Sequence, residues 1–162
     1  EGHTGPILKI IALEPQKLLK YRSEKVEDSS KIITASLDNT ILLWDYEKMT
    51  IFEDLMPKQA ELTCATFLYR CSLVGTGHED GTIRLWNLEI NSSIQLTFID
   101  PNRSHKNTIS CITSTIWNDQ EFLICGSYDG KISIWEISEK VNSTSDAVMP
   151  QLRHVIDTKL SN

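Results

Sequence analysis

The sequence lacks the features that mark several large classes of protein. No hydrophobic run approaches the roughly 18 residues that a transmembrane helix needs. Lys and Arg number 16 against 22 Asp and Glu, for a formal charge of −6. Nucleic-acid-binding proteins normally carry a basic stripe, and none is present here. We therefore predict neither membrane insertion nor a nucleic-acid partner.

Cysteine is sparse and scattered. Cys64, Cys71, Cys111 and Cys125 form no C-x-x-C pair and have no histidine at metal-ligand spacing. Two disulfides could form in a secreted protein, but the simpler interpretation is four free thiols packed as small hydrophobic side chains. Free thiols predict a reducing intracellular compartment, the cytoplasm in the first instance. Since the sequence also has no phosphate-binding glycine loop and no paired carboxylates, we predict no catalytic residue, cofactor or metal.

One unit is repeated three times along the chain. Three segments align without a gap: residues 34–45 (TASLDNTILLWD), 76–87 (TGHEDGTIRLWN) and 125–136 (CGSYDGKISIWE). In each segment an Asp precedes a Trp by six residues, and Trp44, Trp86 and Trp135 recur at intervals of 42 and 49 residues. A period of about 40–45 residues, lengthened by insertions, is typical of propeller blades.

The local pattern of each unit predicts a β-hairpin flanked by two further strands. The dipeptides Asp38-Asn39, Asp80-Gly81 and Asp129-Gly130 suit a turn with two positive-φ positions. The flanking runs are rich in β-branched and aromatic residues, and the second run is apolar on both faces, as in a strand buried between stacked sheets. Other strand patterns precede the hairpins at 7–13, 62–67 and 109–116, and follow them at roughly 50–55, 94–99 and 151–160.

These residues resemble the WD-repeat β-propeller family, in which each repeat forms a four-stranded blade. The Gly-His that opens a repeat matches Gly2-His3 and, in weaker form, Ser104-His105. The Trp-Asp that closes the third strand matches Trp44-Asp45, with Trp86-Asn87 and Trp135-Glu136 as degraded forms. The resemblance covers essentially the whole chain and implies an all-β fold of three four-stranded antiparallel blades. The predicted units are residues 1–56 with an insertion at 14–30, residues 57–101, and residues 102–162 with an insertion at 138–149.

Three blades do not close a propeller, which needs at least four. Since the sequence also opens at Glu1 rather than at a Met, we expect it to be a segment of a larger propeller with seven or eight blades. The remaining blades of the same polypeptide are then its first partners. A second copy of this chain, completing a ring, is the weaker alternative.

The resemblance also implies a buried hydrogen-bond tetrad in each blade, formed by a His, a Ser or Thr, an Asp and the Trp. Its predicted members are His3, Thr34, Asp38 and Trp44 in blade one, Thr76, Asp80 and Trp86 in blade two, and His105, Asp129 and Trp135 in blade three. Blade two has Lys58 at the His position and blade three has Cys125 where a hydroxyl is expected, so we predict that both are incomplete. Because a repeated architecture produces such a set in every blade, we interpret it as structural rather than catalytic.

Both ends of the propeller are candidates for partner binding. In the family, the turns between second and third strands lie at the end more often used for peptides. That end would display Leu37, Glu79, Tyr128, Lys106 and Asn107. The other end would carry Trp117 and the two insertions. Each insertion is either a tolerated surface loop or a contact with another subunit, and Trp117 either caps its blade or anchors an interface. Exposed apolar side chains on short turns favour the first end.

The function predicted from these patterns is a non-enzymatic scaffold for protein–protein interactions, as a WD-repeat segment of a larger protein. The alternative is a regulatory or targeting domain attached to an enzyme in the same polypeptide. A phosphoinositide-binding propeller is disfavoured, because the sequence contains no Arg-Arg pair.

Overall fold

A computed structural model describes residues 2–13, 31–45, 50–55, 60–87, 92–98, 100–139 and 148–158. These residues form twelve β-strands and a single 3₁₀ turn at Pro101–Arg103. In this part of the chain, no helix has the length and apolar character to cross a membrane.

The strands form three four-stranded sheets, each with its strands in sequence order. Blade one contains β1 (Ile7–Leu13), β2 (Lys31–Ser36), β3 (Ile41–Asp45) and β4 (Thr50–Leu55). Blade two contains β5 (Leu62–Leu68), β6 (Leu73–His78), β7 (Ile83–Asn87) and β8 (Ser92–Gln95). Blade three contains β9 (Ile109–Trp117), β10 (Gln120–Ser127), β11 (Lys131–Glu139) and β12 (Val148–Asp157). All neighbouring strands pair antiparallel, so the predicted all-β fold is confirmed.

The last strands of blades two and three differ in position from the prediction. β8 ends at Gln95 rather than at residue 99, although the Leu96 amide still donates to the Ile83 carbonyl at 2.9 Å. β12 starts at Val148, where it pairs with Glu139 of β11. Both ends of the insertion predicted at 138–149 therefore belong to strands. Residues 140–147, like the insertion at 14–30, lie outside the described residues.

The turns between second and third strands contain three residues rather than the predicted two. In blade one, Ser36 donates its amide to the Thr40 carbonyl, and only Asn39, with φ 65°, is left-handed. Blades two and three follow this pattern with Gly81 (φ 84°) and Gly130 (φ 83°). A type I turn followed by one left-handed residue explains why Asn or Gly closes each loop. The two-residue form occurs instead between β9 and β10, at Asn118-Asp119 (φ 49° and 59°).

The hydrophobic core lies between the blades. At the first junction, blade one contributes Leu13, Ile33, Ala35, Ile41 and Leu43, and blade two contributes Leu62, Ala65, Phe67, Val74 and Trp86. At the second junction, Leu68, Leu73, Ile83 and Leu85 of blade two pack on Ile109, Leu123, Trp135 and Ile137 of blade three. Burial of each large apolar side chain stabilises the fold by about 1.5–3 kcal/mol. Both faces of blade two are thus covered, which accounts for its doubly apolar strands.

The outer faces of blades one and three are the repeat equivalents of the faces buried at these junctions. On blade one, Ile10 is 61% exposed and lies opposite Thr34, on the face that also carries Trp44. On blade three, Trp117 is 69% exposed and its ring lies 6.5 Å from that of Phe122, while Ile156 is 48% exposed. Both ends of the array therefore present large apolar side chains.

A buried carboxylate joins blades two and three at the end opposite the turns between the second and third strands. Glu121, at the start of β10, is 1% exposed and accepts the backbone amides of Arg70 and Cys71 at 3.0 and 3.1 Å. Those amides belong to the turn between β5 and β6. Burial raises the pKa of Glu121, although the two amides partly oppose the shift. The carboxylate thus fixes this turn of blade two against blade three.

Candidate functional site

The tetrad of blade one forms a continuous chain of hydrogen bonds. The Trp44 indole Nε1 donates to Thr34 Oγ1 at 2.7 Å, and that oxygen lies 2.6 Å from His3 Nε2. On the other side of the ring, His3 Nδ1 lies 3.2 Å from Asp38 Oδ2 and 2.8 Å from Thr40 Oγ1. Since a carboxylate only accepts, Nδ1 carries the proton and Nε2 accepts from the Thr34 hydroxyl.

Asp38 is the hub of this network. Its Oδ2 accepts the amide of Thr4 at 2.7 Å and that of Gly5 at 3.3 Å, while Oδ1 accepts both the amide and the hydroxyl of Thr40. Burial alone would raise the pKa of Asp38, but the hydrogen bonds from Thr40, Thr4 and Gly5 together hold that pKa well below its ordinary value. Both oxygens are fully used, and the carboxylate anchors the residues before β1 to the β2–β3 turn.

Blade two builds its network around a different histidine. Trp86 Nε1 donates to Thr76 Oγ1 at 2.9 Å, which lies 3.0 Å from Nε2 of His78 at the end of β6. The prediction that blade two has no histidine link is therefore wrong. His78 is fully buried, and its Nδ1 lies 3.2 Å from the Ala60 carbonyl, to which it donates. Burial lowers the pKa of His78, an effect that the Ala60 carbonyl partly opposes.

Asp80 consequently has a different role from Asp38. Within the described residues it accepts two hydrogen bonds, from the Thr82 amide and hydroxyl at 2.9 and 2.7 Å, and both end on Oδ1. The residue is exposed, whereas the Asp38 side chain is 8% exposed. Asp80 therefore stabilises its own turn and presents its negative charge to solvent.

Blade three takes its hydroxyl from the neighbouring strand. Trp135 Nε1 donates to Ser133 Oγ at 3.1 Å, and that oxygen lies 2.8 Å from His105 Nε2. Ser133 pairs directly across from Cys125, the position where sequence reasoning expected a hydroxyl. His105 Nδ1 points to Asp129 Oδ1 at 3.5 Å, a long and weak link. Burial lowers the pKa of His105, against the opposing charge of Asp129.

These hydrogen-bond networks support the fold and are badly placed for catalysis. Thr34, Thr76 and Ser133 are all buried, and each hydroxyl is already engaged by an indole and an imidazole. A nucleophile would have to reach a substrate, and these oxygens are buried. Within the described residues, no group of three or more His, Cys, Asp or Glu side chains is placed to hold a metal ion.

The predicted partner residues lie on one row of turns, which we call the turn face. It comprises the predicted set of Leu37, Glu79, Lys106, Asn107 and Tyr128. Equivalent backbone bonds fix three of them: Leu37 donates its amide to Pro6, Glu79 to Glu61 and Tyr128 to Thr108, all at 2.9–3.0 Å. Leu37 is 47% exposed and Tyr128 is 71% exposed, and the other three are also exposed.

Bonds between blades make the turn face continuous. The Asn39 side chain accepts the amide of Leu62 at 2.9 Å, which joins the first turn to blade two. Thr108 donates its hydroxyl to the Glu79 carbonyl at 3.1 Å, which joins the second turn to blade three. Gly81 packs so closely on the carbonyls of His105 and Asn107 that a Cβ there would lie 3.0 Å from each oxygen. Because the first two turns are tied to the next blade, and the third is bonded to Thr108 and Thr158 of its own blade, the surface is rigid and costs little entropy to use in binding.

Trp117 lies far from this surface. It closes β9 at the opposite end of blade three, beside the Asn118-Asp119 turn. Its side chain contacts Phe122 on the outer face of the blade. The turn face and Trp117 are therefore separate candidate contacts.

Comparison with known proteins adds a family match. The model described as "WD domain, G-beta repeat" matches residues 25–45, 56–87 and 96–136, more than half of the chain. Among solved structures, the computationally designed Ika8 protein has a TM-score of 0.64 and 20% identity over 99% of this chain and 39% of its own. At that identity the likeness shows the fold alone.

Several curated proteins are also similar to this chain. The ribosome biogenesis protein WDR12 homolog of Dictyostelium discoideum is 29% identical over 68% of this chain and 23% of its own length. The COMPASS component SWD3 of Saccharomyces cerevisiae is 21% identical over 83% of this chain and 39% of its own length. Eukaryotic translation initiation factor 3 subunit I of Drosophila willistoni is 31% identical over 68% of this chain and 35% of its own length. The chain thus spans well under half the length of these relatives.

Proposed function

The chain belongs to the WD-repeat family, and from that premise we propose that it is a non-enzymatic scaffold whose turn face binds other proteins. The observation that carries the proposal is the rigid row of turns bearing exposed Leu37 and Tyr128. Exposed aromatic and aliphatic side chains on a rigid support are typical anchors of protein interfaces. The names of the relatives support it too, since two of them are a component and a subunit of larger complexes.

The buried tetrads support the non-enzymatic part of the proposal. Their histidines and hydroxyls have the residue types of a catalytic triad, but every blade repeats them and each hydroxyl is committed to an indole N–H. A hydrogen-bonded network that recurs in all three blades and is used by the indole of each repeat Trp supports the fold. The scaffold is therefore favoured over catalysis by these residues.

The apolar outer faces support the proposal that further blades complete the propeller. Ile10 on blade one and Trp117 and Ile156 on blade three lie where blade two has a neighbour. Their burial against remaining blades of the same polypeptide, in a ring of seven or eight, would continue the packing of the two junctions. A second copy of this chain is the alternative source of blades. We propose the cytoplasm as its compartment, since all four cysteines are free thiols.

The proposal is tested by removing the two anchors together. The variant carrying Leu37→Ser and Tyr128→Ser should lose the proteins that the parent chain recovers from a cell extract, measured by quantitative mass spectrometry. Asp119→Asn is the control, because Asp119 is also exposed but lies at the other end of blade three, in the turn between β9 and β10. A third variant lacks residues 17–28 of the first predicted insertion.

The two ends give opposite results in this experiment. If the turn face binds partners, the double variant loses them, while the Asp119→Asn and deletion variants keep them. If the double variant keeps every partner and the deletion loses them, the other end is the binding surface and the proposal is wrong.

A further inference from the structure

The charge of the turn face is uneven, and blade two is its acidic part. Glu61, Glu79 and Asp80 are all exposed there, and the bond from the Glu79 amide to the Glu61 carbonyl, at 2.9 Å, holds the first two together. Within the described residues none of these three carboxylates takes part in an ion pair. Blade two thus places three exposed carboxylates between Leu37 and Tyr128.

The altered tetrad of blade two is the reason that the Asp80 carboxylate is exposed on the turn face. In blade one, Asp38 accepts hydrogen bonds from His3 and from the amides of Thr4 and Gly5. In blade three, Asp129 accepts the Lys106 amide at 2.8 Å and its side chain is 10% exposed. Among the described residues Asp80 has no such partners, and His78 donates to a backbone carbonyl instead.

Blade three carries the opposite charge on the same surface. Lys106 is exposed beside the Glu79 turn, since Asn107 and Thr108 contact that turn directly. Lys131 lies farther along and donates its ammonium to the Asn102 carbonyl at 2.8 Å. A cationic partner group would therefore be attracted over blade two and repelled near Lys106.

From this arrangement we infer that the turn face binds an extended peptide segment whose Lys or Arg lies over Glu79 and Asp80, flanked by apolar residues that contact Leu37 and Tyr128. The inference rests on the proposed function and names the chemistry of its partner. The apolar anchors would supply most of the affinity. The carboxylates would fix the position of the peptide along the turn face and raise its association rate. A neutral or acidic segment would leave the three carboxylates without partners.

The probe is a random peptide library displayed on phage and selected on the parent chain. Peptides that lose binding to the Leu37→Ser, Tyr128→Ser variant are synthesised, and their affinities are measured by fluorescence anisotropy at low and physiological salt. We expect these peptides to be enriched in Lys or Arg between apolar residues. Replacing those basic residues by Gln should lower affinity about fivefold, because exposed charge pairs are individually weak.

Variants of the protein test the same charge pairs by changing the carboxylates instead of the basic residues of the peptide. Glu61→Gln, Glu79→Gln and Asp80→Asn together should also weaken binding about fivefold and remove much of its salt dependence. Asn at position 80 retains the oxygen that accepts from Thr82. Lys106→Gln should strengthen binding two- to threefold, since it removes a nearby repulsive charge. Asp119→Asn is the matched control at the opposite end of the molecule and should change nothing.

Failure of this inference and failure of the proposed function look different. Peptides that depend on Leu37 and Tyr128 but show no basic enrichment, and that bind the triple variant as well as the parent, would overturn the charge assignment alone. A selection that recovers no peptide dependent on the two anchors would overturn both. Binding that rises when the carboxylates are neutralised would also contradict the inference.

Discussion

Blades one and two are closely similar in strand order and register, yet their buried networks are built from different parts of the chain. In blade one, His3 lies before the first strand and connects Thr34 to Asp38. In blade two, His78 lies at the end of the second strand and connects Thr76 to a backbone carbonyl. The bond from Trp to hydroxyl to imidazole is the same in both.

The difference separates two tasks that a single tetrad combines. The buried indole N–H needs an acceptor, and any hydroxyl backed by an imidazole supplies one. The Asp is needed only where the residues before the blade must be tied to the turn, as Asp38 ties Thr4 and Gly5. In the described part of blade two, His78 performs both tasks by bonding Thr76 and the Ala60 carbonyl, and Asp80 remains on the surface.

The largest effect is expected when His78, the histidine that distinguishes blade two from blade one, is removed. His78→Ala should lower the free energy of unfolding by about 3 kcal/mol, because it opens a cavity and leaves Thr76 and the Ala60 carbonyl without their partner. Urea unfolding measures the loss. His154→Ala, at an exposed position on β12, is the control and should cost under about 0.5 kcal/mol. Equal losses for the two variants would mean that His78 does not support the blade.

The two Asp residues should respond unequally to the same change. Asp38→Ala should cost about 1–3 kcal/mol, since it leaves buried donors unsatisfied. Asp80→Ala should cost under about 0.5 kcal/mol, because its two bonds lie within an exposed turn. Thermal melts of both variants against the parent test the difference. A loss at Asp80 as large as that at Asp38 would show that the blade two network extends to its Asp after all.

Blade three offers a smaller test of which hydroxyl matters. Ser133→Ala should cost about 1–2 kcal/mol, because it removes the acceptor of the Trp135 indole and the partner of His105. Ser133→Thr keeps a hydroxyl there and should recover much of the loss. The same melts provide the measurement, and a Ser133→Ala variant as stable as the parent would leave the network of blade three without support.

The smallest effect expected is on the pH dependence of stability. Burial lowers the pKa values of His78 and His105 in the folded chain, so the unfolded chain binds protons first as the pH falls through about 6.5. The contribution of these two histidines to the free energy of unfolding should therefore fall on acidification from pH 7 to pH 5. His78→Gln should flatten this dependence. A slope unchanged by that substitution would mean that His78 does not titrate as a buried group.

Sequence reasoning predicted the blades well because their signals are local. The Trp period, the turn residues and the doubly apolar strands each follow from neighbouring residues, and blade one matches the family pattern from His3 to Trp44. The missed residues depend on contacts that only the folded sheet creates. His78 is predictable as an isolated histidine at the end of a strand, but its role is not, because the family pattern puts the network histidine at the position of Lys58, whereas this side chain comes from the far end of β6.

Ser133 was missed for a related reason, although a signal existed. It lies two residues before Trp135 and therefore on the same face of β11, directly across from Cys125. A search for a hydroxyl on either strand would have found it. The exposure of the Asp80 carboxylate could not be predicted, because it depends on which acceptor the His78 Nδ1–H bonds in the folded blade. The three-residue turns were missed because Asp-Gly and Asp-Asn suit more than one hairpin loop.

The central claim is that in each blade the indole N–H of the repeat Trp bonds a hydroxyl that is in turn bonded to a histidine, and hydrogen exchange of the indole N–H groups tests it most directly. Four indole resonances should be resolved by ¹H–¹⁵N NMR, for Trp44, Trp86, Trp117 and Trp135. We predict slow exchange for the three repeat residues, which donate to Thr34, Thr76 and Ser133, and fast exchange for the exposed Trp117. An indole of Trp86 that exchanges as fast as that of Trp117 would contradict the account.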